Sequence, residues 1–237
     1  MFADASLFMA TTQQPSGAVG SPATGGQPSS TRLSGAVLFI AALFFAASAP
    51  LAAEMTGEAI YSYCKSCHGK RGAGGENGKY PRLAGLPRAY VDRQLRAFKT
   101  QKRVNKPMIP IFKHHRFDDA VIATVSAYIA GMRPPGLSLW PYQPEPDALT
   151  VFETRAAFDA AGEDQYTSGC ASCHGAAGEG VEDAGAPPLT DQYPAYLRKQ
   201  IADFVNGRRS HADSARCADL TPAEADAVIG YLVELGK

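Results

Sequence analysis

The chain has almost no tryptophan, a single Trp140 in 237 residues. It has no surplus of either charge: 23 Lys and Arg stand against 23 Asp and Glu, and that balance gives no reason to expect a nucleic-acid partner. No segment alternates apolar and polar residues convincingly, so strands are not expected. Methionine stops at Met132, which leaves the C-terminal half without a thioether. Cysteine is scarce, five residues in all, and four of the five fall in two pentapeptides.

Those pentapeptides are Cys64-Lys-Ser-Cys67-His68 and Cys170-Ala-Ser-Cys173-His174, 106 residues apart. Cys-x-x-Cys-His is the attachment pattern of a c-type haem. Two thiols add across the two vinyl groups of one porphyrin, and the adjacent His turns inward as the proximal iron ligand. A structural zinc site wants four Cys or His ligands, so each motif alone falls one short unless both join in a shared site. A redox dithiol normally follows a strand and needs no His. The pattern therefore predicts two covalently bound haem c groups, held by Cys64 and Cys67 in one case and Cys170 and Cys173 in the other. His68 and His174 are the axial iron ligands.

The repeat is wider than the motifs. At an offset of 106, Pro81 falls on Pro187, Leu83 on Leu189, Tyr90 on Tyr196, Gln94 on Gln200, Phe98 on Phe204 and Arg103 on Arg209. Beyond Arg103 the offset becomes 103, and Tyr128 falls on Tyr231. Each copy is small for a self-sufficient core, and a haem plate supplies apolar surface that the chain lacks. Haem propionates should tip the loaded protein acidic.

Residues 1–53 read differently. Met1 to Ser30 is rich in Ser, Pro, Gly, Thr and Gln, a disordered composition. Arg32 and the apolar run Leu33 to Ala49 then read as a secretory signal. Cleavage after Ala53 would start the mature chain at Glu54. An uncleaved run to Ala53 is also about the ~20 residues that span a bilayer, so membrane association through this segment stays open. Either way the expected location is periplasmic, where covalent haem attachment is completed in bacteria.

The rest reads as helices and loops. A short helix is expected over Gly57 to Cys67, and a second over Leu86 to Lys102 with an apolar stripe at Leu86, Tyr90, Val91, Leu95 and Phe98. A third follows Asp118 as cap and runs through Ile129. In the second copy the expectations are Tyr196 to Asn206 with Gly207 behind it, and a capping box Thr221-Pro222-Ala-Glu224 opening a helix to about Leu235. Between the copies, Arg133 to Asp147 holds five prolines, a stiff and extended stretch that should set the domain separation. Trp140 there is read as packing linker against domain. The expected plan is all-α: residues 1–53, a first haem domain over 54–133, a Pro-rich linker over 134–150 and a second haem domain over 151–237.

These residues resemble the dihaem cytochrome c4 family, two fused class I cytochrome c domains. The resemblance covers roughly Thr56 to Gly236. It is carried by Gly57-x3-Tyr61, Gly162-x3-Tyr166-x3-Cys170, the Cys-His-Gly-x-x-Gly-x-Gly continuations, Pro81-Arg-Leu83-Ala-Gly85 and the Tyr-x3-Gln-x3-Phe helix. It implies that the carbonyls of Pro81 and Pro187 accept from the Nδ1–H groups of His68 and His174, orienting the rings. The second copy departs at Asp191, which replaces Gly85. The family's distal ligand is a Met between the middle and final helices, and Met108, flanked by Pro107 and Pro110, fits the first copy. His114 and His115 are its rivals. The second copy has no Met. Offset 103 puts His211 in the slot of Met108, offset 106 puts Ser214 there, and Cys217, the fifth cysteine, is in the same loop. His/His, His/Cys and an open iron all remain open for the second haem.

The resemblance implies electron transfer between a respiratory or dehydrogenase donor and an oxidase or soluble acceptor, with redox proteins as partners. Two alternatives accompany it. One is the cytochrome subunit of a flavocytochrome-type dehydrogenase, with a flavoprotein partner. The other is a haem enzyme, similar to thiosulfate dehydrogenases or peroxidases, that works at the Met-less haem. Two basic groups, Arg208, Arg209, His211 and Arg216 in one and Lys65, Lys70, Arg71 and Lys79 in the other, are read either as docking surfaces or as solvated faces.

Overall fold

The first haem motif does not lie at the end of one helix, as the sequence predicts for Gly57 to Cys67. In the computed structural model, which describes residues 55–139, 141–211 and 219–237, the segment is two helices. Helix α1 (Gly57–Tyr61) opens on Thr56, whose side chain accepts from the Ala59 N–H at 3.2 Å. The chain then turns, and α2 (Lys65–His68) restarts on the Cys64 carbonyl, which accepts from the N–H groups of Cys67 and His68. The motif is thus its own single turn, ended by Gly69 at φ +78°. The leader, Trp140, Ser214, Arg216 and Cys217 lie outside the described residues.

Helix α3 (Arg88–Lys99) begins two residues later than the apolar stripe suggests, because Leu86 precedes Pro87 and is steered away from helical geometry. A 3-10 turn over Lys106–Met108 leads to α4 (Ile109–His114), and α5 (Asp119–Ala130) follows its predicted cap, Asp118, which accepts from the Val121 N–H at 3.0 Å. Ile122, Val125 and Ile129 of α5 close on Ile60, Tyr61, Leu86, Tyr90 and Val91 to form the first core. Helix α1 approaches α5 so closely that a Cβ on Gly57 would sit 2.4 Å from the Cβ of Tyr128.

The second copy repeats this with longer elements. Helix α6 (Pro146–Phe152) occupies part of the stretch expected to be linker, with Pro146 at its first turn. Then come α7 (Arg155–Gly169), α8 (Ala171–His174), α9 (Pro194–Val205) and α10 (Pro222–Leu235). The capping box at Thr221 and Glu224 is present with both of its hydrogen bonds. Gly207 follows α9 in the left-handed region, φ +65°. Helix α7 crosses α10 on Gly162, where a Cβ would meet the Ala227 carbonyl oxygen at 2.2 Å. This is the α1–α5 crossing over again. Asp191, which replaces Gly85, adopts its conformation: φ is +53° at Asp191 and +73° at Gly85. Asp is among the few side chains that visit this region readily.

The Pro-rich stretch does not act as a free spacer. Tyr142 is buried in the second core, and its hydroxyl donates to Asp226 at 2.5 Å. The Glu145 N–H donates to the other oxygen of Asp226 at 2.8 Å, and Arg198 donates to both Asp226 and the Tyr142 hydroxyl at 2.6 Å. The linker is therefore lashed to the second domain, and the described residues fall in one compact unit. Among the described residues there is no strand, only the isolated bridges Gly75–Tyr80 and Val181–Ala186 in equivalent loops. No described helix is long and apolar enough to cross a membrane.

Asp226 is 1% exposed and satisfies three donors. Its replacement by Ala leaves two neutral donors without their acceptor and Arg198 with only Glu145, at 3.1 Å, as its carboxylate. We expect Asp226→Ala to cost about 2–3 kcal/mol in denaturant unfolding of the holoprotein, from the buried donors it leaves unsatisfied. A loss under about 1 kcal/mol would show that this linker contact is dispensable.

Candidate functional site

Each Cys-x-x-Cys-His turn presents its imidazole in one fixed way. His68 Nδ1 is 2.9 Å from the Pro81 carbonyl, and His174 Nδ1 is 2.9 Å from the Pro187 carbonyl. A carbonyl only accepts, so Nδ1 carries the proton in both rings and Nε2 is left with its lone pair. Burial holds both imidazoles below the ordinary histidine value, with the carbonyl contact opposing it, so both are neutral and fit to bind a metal. Before any haem is attached, burial, with the Cys67 thiol adding to it, pushes Cys64 up to about 11. A redox dithiol needs the opposite shift.

Glycines bring the proline carbonyls this close. A Cβ on Gly74, at φ +80°, would lie 2.4 Å from the Tyr80 carbonyl oxygen and 2.7 Å from the Pro81 carbonyl carbon. Gly180, at φ +81°, stands in the same relation to Pro187 and Pro188. The turn is also tied from behind. The Tyr61 hydroxyl donates to the Gly69 carbonyl at 2.8 Å, and the Tyr166 hydroxyl to the Gly175 carbonyl at 2.6 Å. The tyrosines and glycines of the repeat are thus the supports of the two imidazoles.

Both motifs open into a single continuous cavity of about 360 Å³. Cys64, Cys67 and His68 line it from the first domain, and Cys170, Cys173 and His174 from the second. Between them lies a network that the repeat contained without revealing its purpose. Arg103 donates to Gln94 at 2.7 Å, to Gln200 at 2.8 Å and to Tyr196 at 3.1 Å. Arg209 answers with Gln200 at 2.6 Å, Tyr90 at 3.0 Å and Gln94 at 3.1 Å. Each glutamine oxygen is shared by both arginines, so the two domains are stitched by equivalent residues about a pseudo-twofold axis. Burial alone would raise Tyr90. The charges of Arg209, Arg103 and Arg93 outweigh it and bring the phenol below its ordinary value.

A third cation, Arg82, is 3% exposed and also lines the cavity. It donates to the carbonyls of Ala84 at 3.0 Å and Thr190 at 3.3 Å. Its backbone is paired with Gln192 of the other domain at 3.0 and 3.1 Å. None of Arg82, Arg103 and Arg209 has a carboxylate within ion-pair distance among the described residues. The Nε of Arg82 and the Nε2 of Gln200 are buried without a hydrogen-bond partner. Orphaned donors and unmatched positive charge suit an anion at this place. Thiols at attachment spacing, imidazoles with a bare nitrogen and donors for carboxylates together fit a haem with its propionates.

The other expected site residues separate cleanly. Met108, at the start of α4, lines the cavity. Its rivals do not: His114 is exposed, and His115 stacks on Tyr63 with ring centres 3.9 Å apart. His211 lines the cavity in the second domain, its ring centre 6.1 Å from that of His174. Cys217 lies outside the described residues. In the basic cluster around Arg208, the described arginines have partners within the chain. Arg208 pairs with Asp203 at 2.9 Å and Arg209 is spent in the interface. Lys79 is paired with Glu76 at 2.7 Å, whereas Lys65, Lys70 and Arg71 are exposed. No group of three or more His, Cys, Asp or Glu among the described residues could hold a metal ion by itself, so the motifs do not merge into one zinc site.

Two helical domains that share a cavity, each aiming an imidazole into it from a thiol-bearing turn, make a dihaem c-type cytochrome, a protein whose work is electron transfer. Comparison with known proteins agrees. Residues 55–133 and 160–236 each match the cytochrome c family, to which the chain belongs. Within it the chain is of the dihaem cytochrome c4 kind, with two covalently bound haem c groups. It is 31% identical to the thiosulfate dehydrogenase electron acceptor of Thiomonas intermedia (strain K12), over 83% of this chain and 88% of that one. Identity to the cytochrome c4 of Pseudomonas aeruginosa is 26%, over 74% of this chain and 85% of the relative. Among solved structures, Acidithiobacillus ferrooxidans cytochrome c4 superposes with a TM-score of 0.58 at 27% identity, covering 72% of this chain and 98% of that one.

Gly74→Ala tests the support of the first imidazole. The added Cβ must displace the Tyr80–Pro81 backbone, at a cost of about 1–3 kcal/mol. The expected result is a loss of that size in denaturant unfolding and a disturbed first haem spectrum with the second unchanged. Wild-type stability and spectrum in the variant would contradict this role for the loop.

Proposed function

We propose that the protein is an exported dihaem electron shuttle, taking electrons from a dehydrogenase and passing them to an oxidase or a soluble acceptor. The single cavity shared by both Cys-x-x-Cys-His turns carries this reading, because it puts the two redox centres against one another rather than at opposite ends of the chain. Haem iron supplies a one-electron couple whose potential is set by its axial ligands and surroundings.

In this reading Cys64 and Cys67 fasten the first haem and Cys170 and Cys173 the second, with His68 and His174 as proximal ligands. Pro81 and Pro187 fix the tautomer and raise ligand basicity. Met108 is the distal ligand of the first site, held in the cavity wall with prolines on either side. Arg82, Arg103 and Arg209 supply positive charge at the domain junction. They favour the reduced state, because a haem that has gained an electron is less positive. Periplasmic location follows from the apolar segment at residues 33–49 and from the place where such haems are attached. Retention of that segment as an anchor and a flavoprotein partner are separable by fractionation and copurification.

A thiosulfate dehydrogenase is the donor best supported, because a relative matched over most of both chains carries the name electron acceptor of that enzyme. Purified thiosulfate dehydrogenase with thiosulfate should reduce both haems of the oxidised protein. If dithionite reduces them and the enzyme does not, this donor is wrong while the shuttle reading stands. If the oxidised protein is reduced by thiosulfate alone, or the reduced protein is reoxidised catalytically by peroxide, the chain is an enzyme instead.

Met108→Ala should leave two haems per chain and remove the methionine-type charge-transfer band of one of them. It should also lower that haem's potential by on the order of 100 mV or more, within the roughly 0.8 V that axial ligands span. An unchanged band would transfer the distal role to another residue.

A further inference from the structure

We infer that the second iron is gripped by two imidazoles, His174 on one side and His211 on the other, so that the two haems carry different axial pairs. This rests on His174 as proximal ligand in the reading above. The family resemblance offers no such pair: it expects a methionine, and the second domain has none.

The separation of the rings fits one metal ion between them. A metal–imidazole nitrogen bond is about 2 Å, and the ring centre lies about 1 Å behind that nitrogen, so two imidazoles on opposite faces of one ion have centres about 6 Å apart. The centres of His174 and His211 are 6.1 Å apart. The planes differ by 36°. Each ring bound to iron contains the bond axis in its own plane, so an angle between planes is a rotation about that axis and is permitted.

Local structure holds His211 in place. Phe204, in the last turn of α9, meets its ring edge to face with centres 4.9 Å apart. Phe204 also lines the cavity, which makes it the floor against which the imidazole stands. His174 cannot turn away, because its Nδ1 is committed to Pro187 at 2.9 Å. The repeat agrees: the offset of 103 that aligns Tyr128 with Tyr231 puts His211 on Met108. Both residues line the same cavity.

Two unlike sites give the shuttle a direction. A thioether ligand raises a haem's potential and an imidazole does not. The first haem therefore sits higher, and electrons that enter at the second settle on the first.

The test is electron paramagnetic resonance and near-infrared magnetic circular dichroism of oxidised holoprotein, wild type beside His211→Ala and His211→Met, with intact mass confirming two haems in each. In the wild type we expect one methionine–histidine and one bis-imidazole low-spin haem. His211→Ala should turn the second haem high-spin and open it to cyanide and carbon monoxide. His211→Met should give a second methionine-type band and raise the lower potential. A thiolate signature, a high-spin second haem in the wild type, or an Ala variant with the wild-type spectrum would each overturn the inference. Failure of His174 itself is distinguishable: His174→Ala would then leave the second haem's ligand spectrum unaltered.

Discussion

The hydrogen bond from an imidazole Nδ1–H to a proline carbonyl is the contact on which the rest depends. It occurs twice, at 2.9 Å each time, in loops of equivalent construction. It fixes the tautomer and aims the bare nitrogen into the cavity, while burial keeps the ring neutral. The glycines at φ near +80° are there because a side chain would push the carbonyl away. The tyrosine hydroxyls on Gly69 and Gly175 brace the same turn from the helix behind it. The helix crossings at Gly57 and Gly162 in turn place those tyrosines. Each layer of the domain exists to present one nitrogen.

Duplication adds a second constraint, electrostatic rather than steric. Two haem domains facing each other bring their anionic groups together, and the junction answers with Arg82, Arg103 and Arg209. The glutamines shared between Arg103 and Arg209 couple the halves without introducing a carboxylate. Had the repeat paired each arginine with Asp or Glu, the cavity would have lost the charge that suits its contents. The symmetry breaks at the distal position: the first copy has Met108, the second has no methionine, and offset 103 sets His211 there instead.

Much of this was legible in the residues alone. The attachment motif gave the cofactor because its chemistry tolerates no other spacing, and the 106-residue offset gave the tandem plan. Caps at Asp118 and Thr221 could be read because a capping bond closes within three residues. What could not be read depended on partners far away in the chain. The break between α1 and α2 and the helix α6 inside the Pro-rich stretch were both missed, as was the linker's attachment to Asp226. A basic cluster at Arg208 and Arg209 could be read as a docking surface or as a solvated face. Its partners are Asp203 nearby and Gln94 and Tyr90 over a hundred residues upstream. The matches Tyr90–Tyr196, Gln94–Gln200 and Arg103–Arg209 were visible as repetition, but repetition does not say that both copies meet.

The most direct test is the intact mass of the protein made in a host that attaches haem, followed by thiol alkylation of the unfolded chain. The account requires the mass of the polypeptide plus two porphyrins, with the cysteines at 64, 67, 170 and 173 blocked as thioethers. A single porphyrin, none, or alkylation at any of those four sulfurs would contradict it.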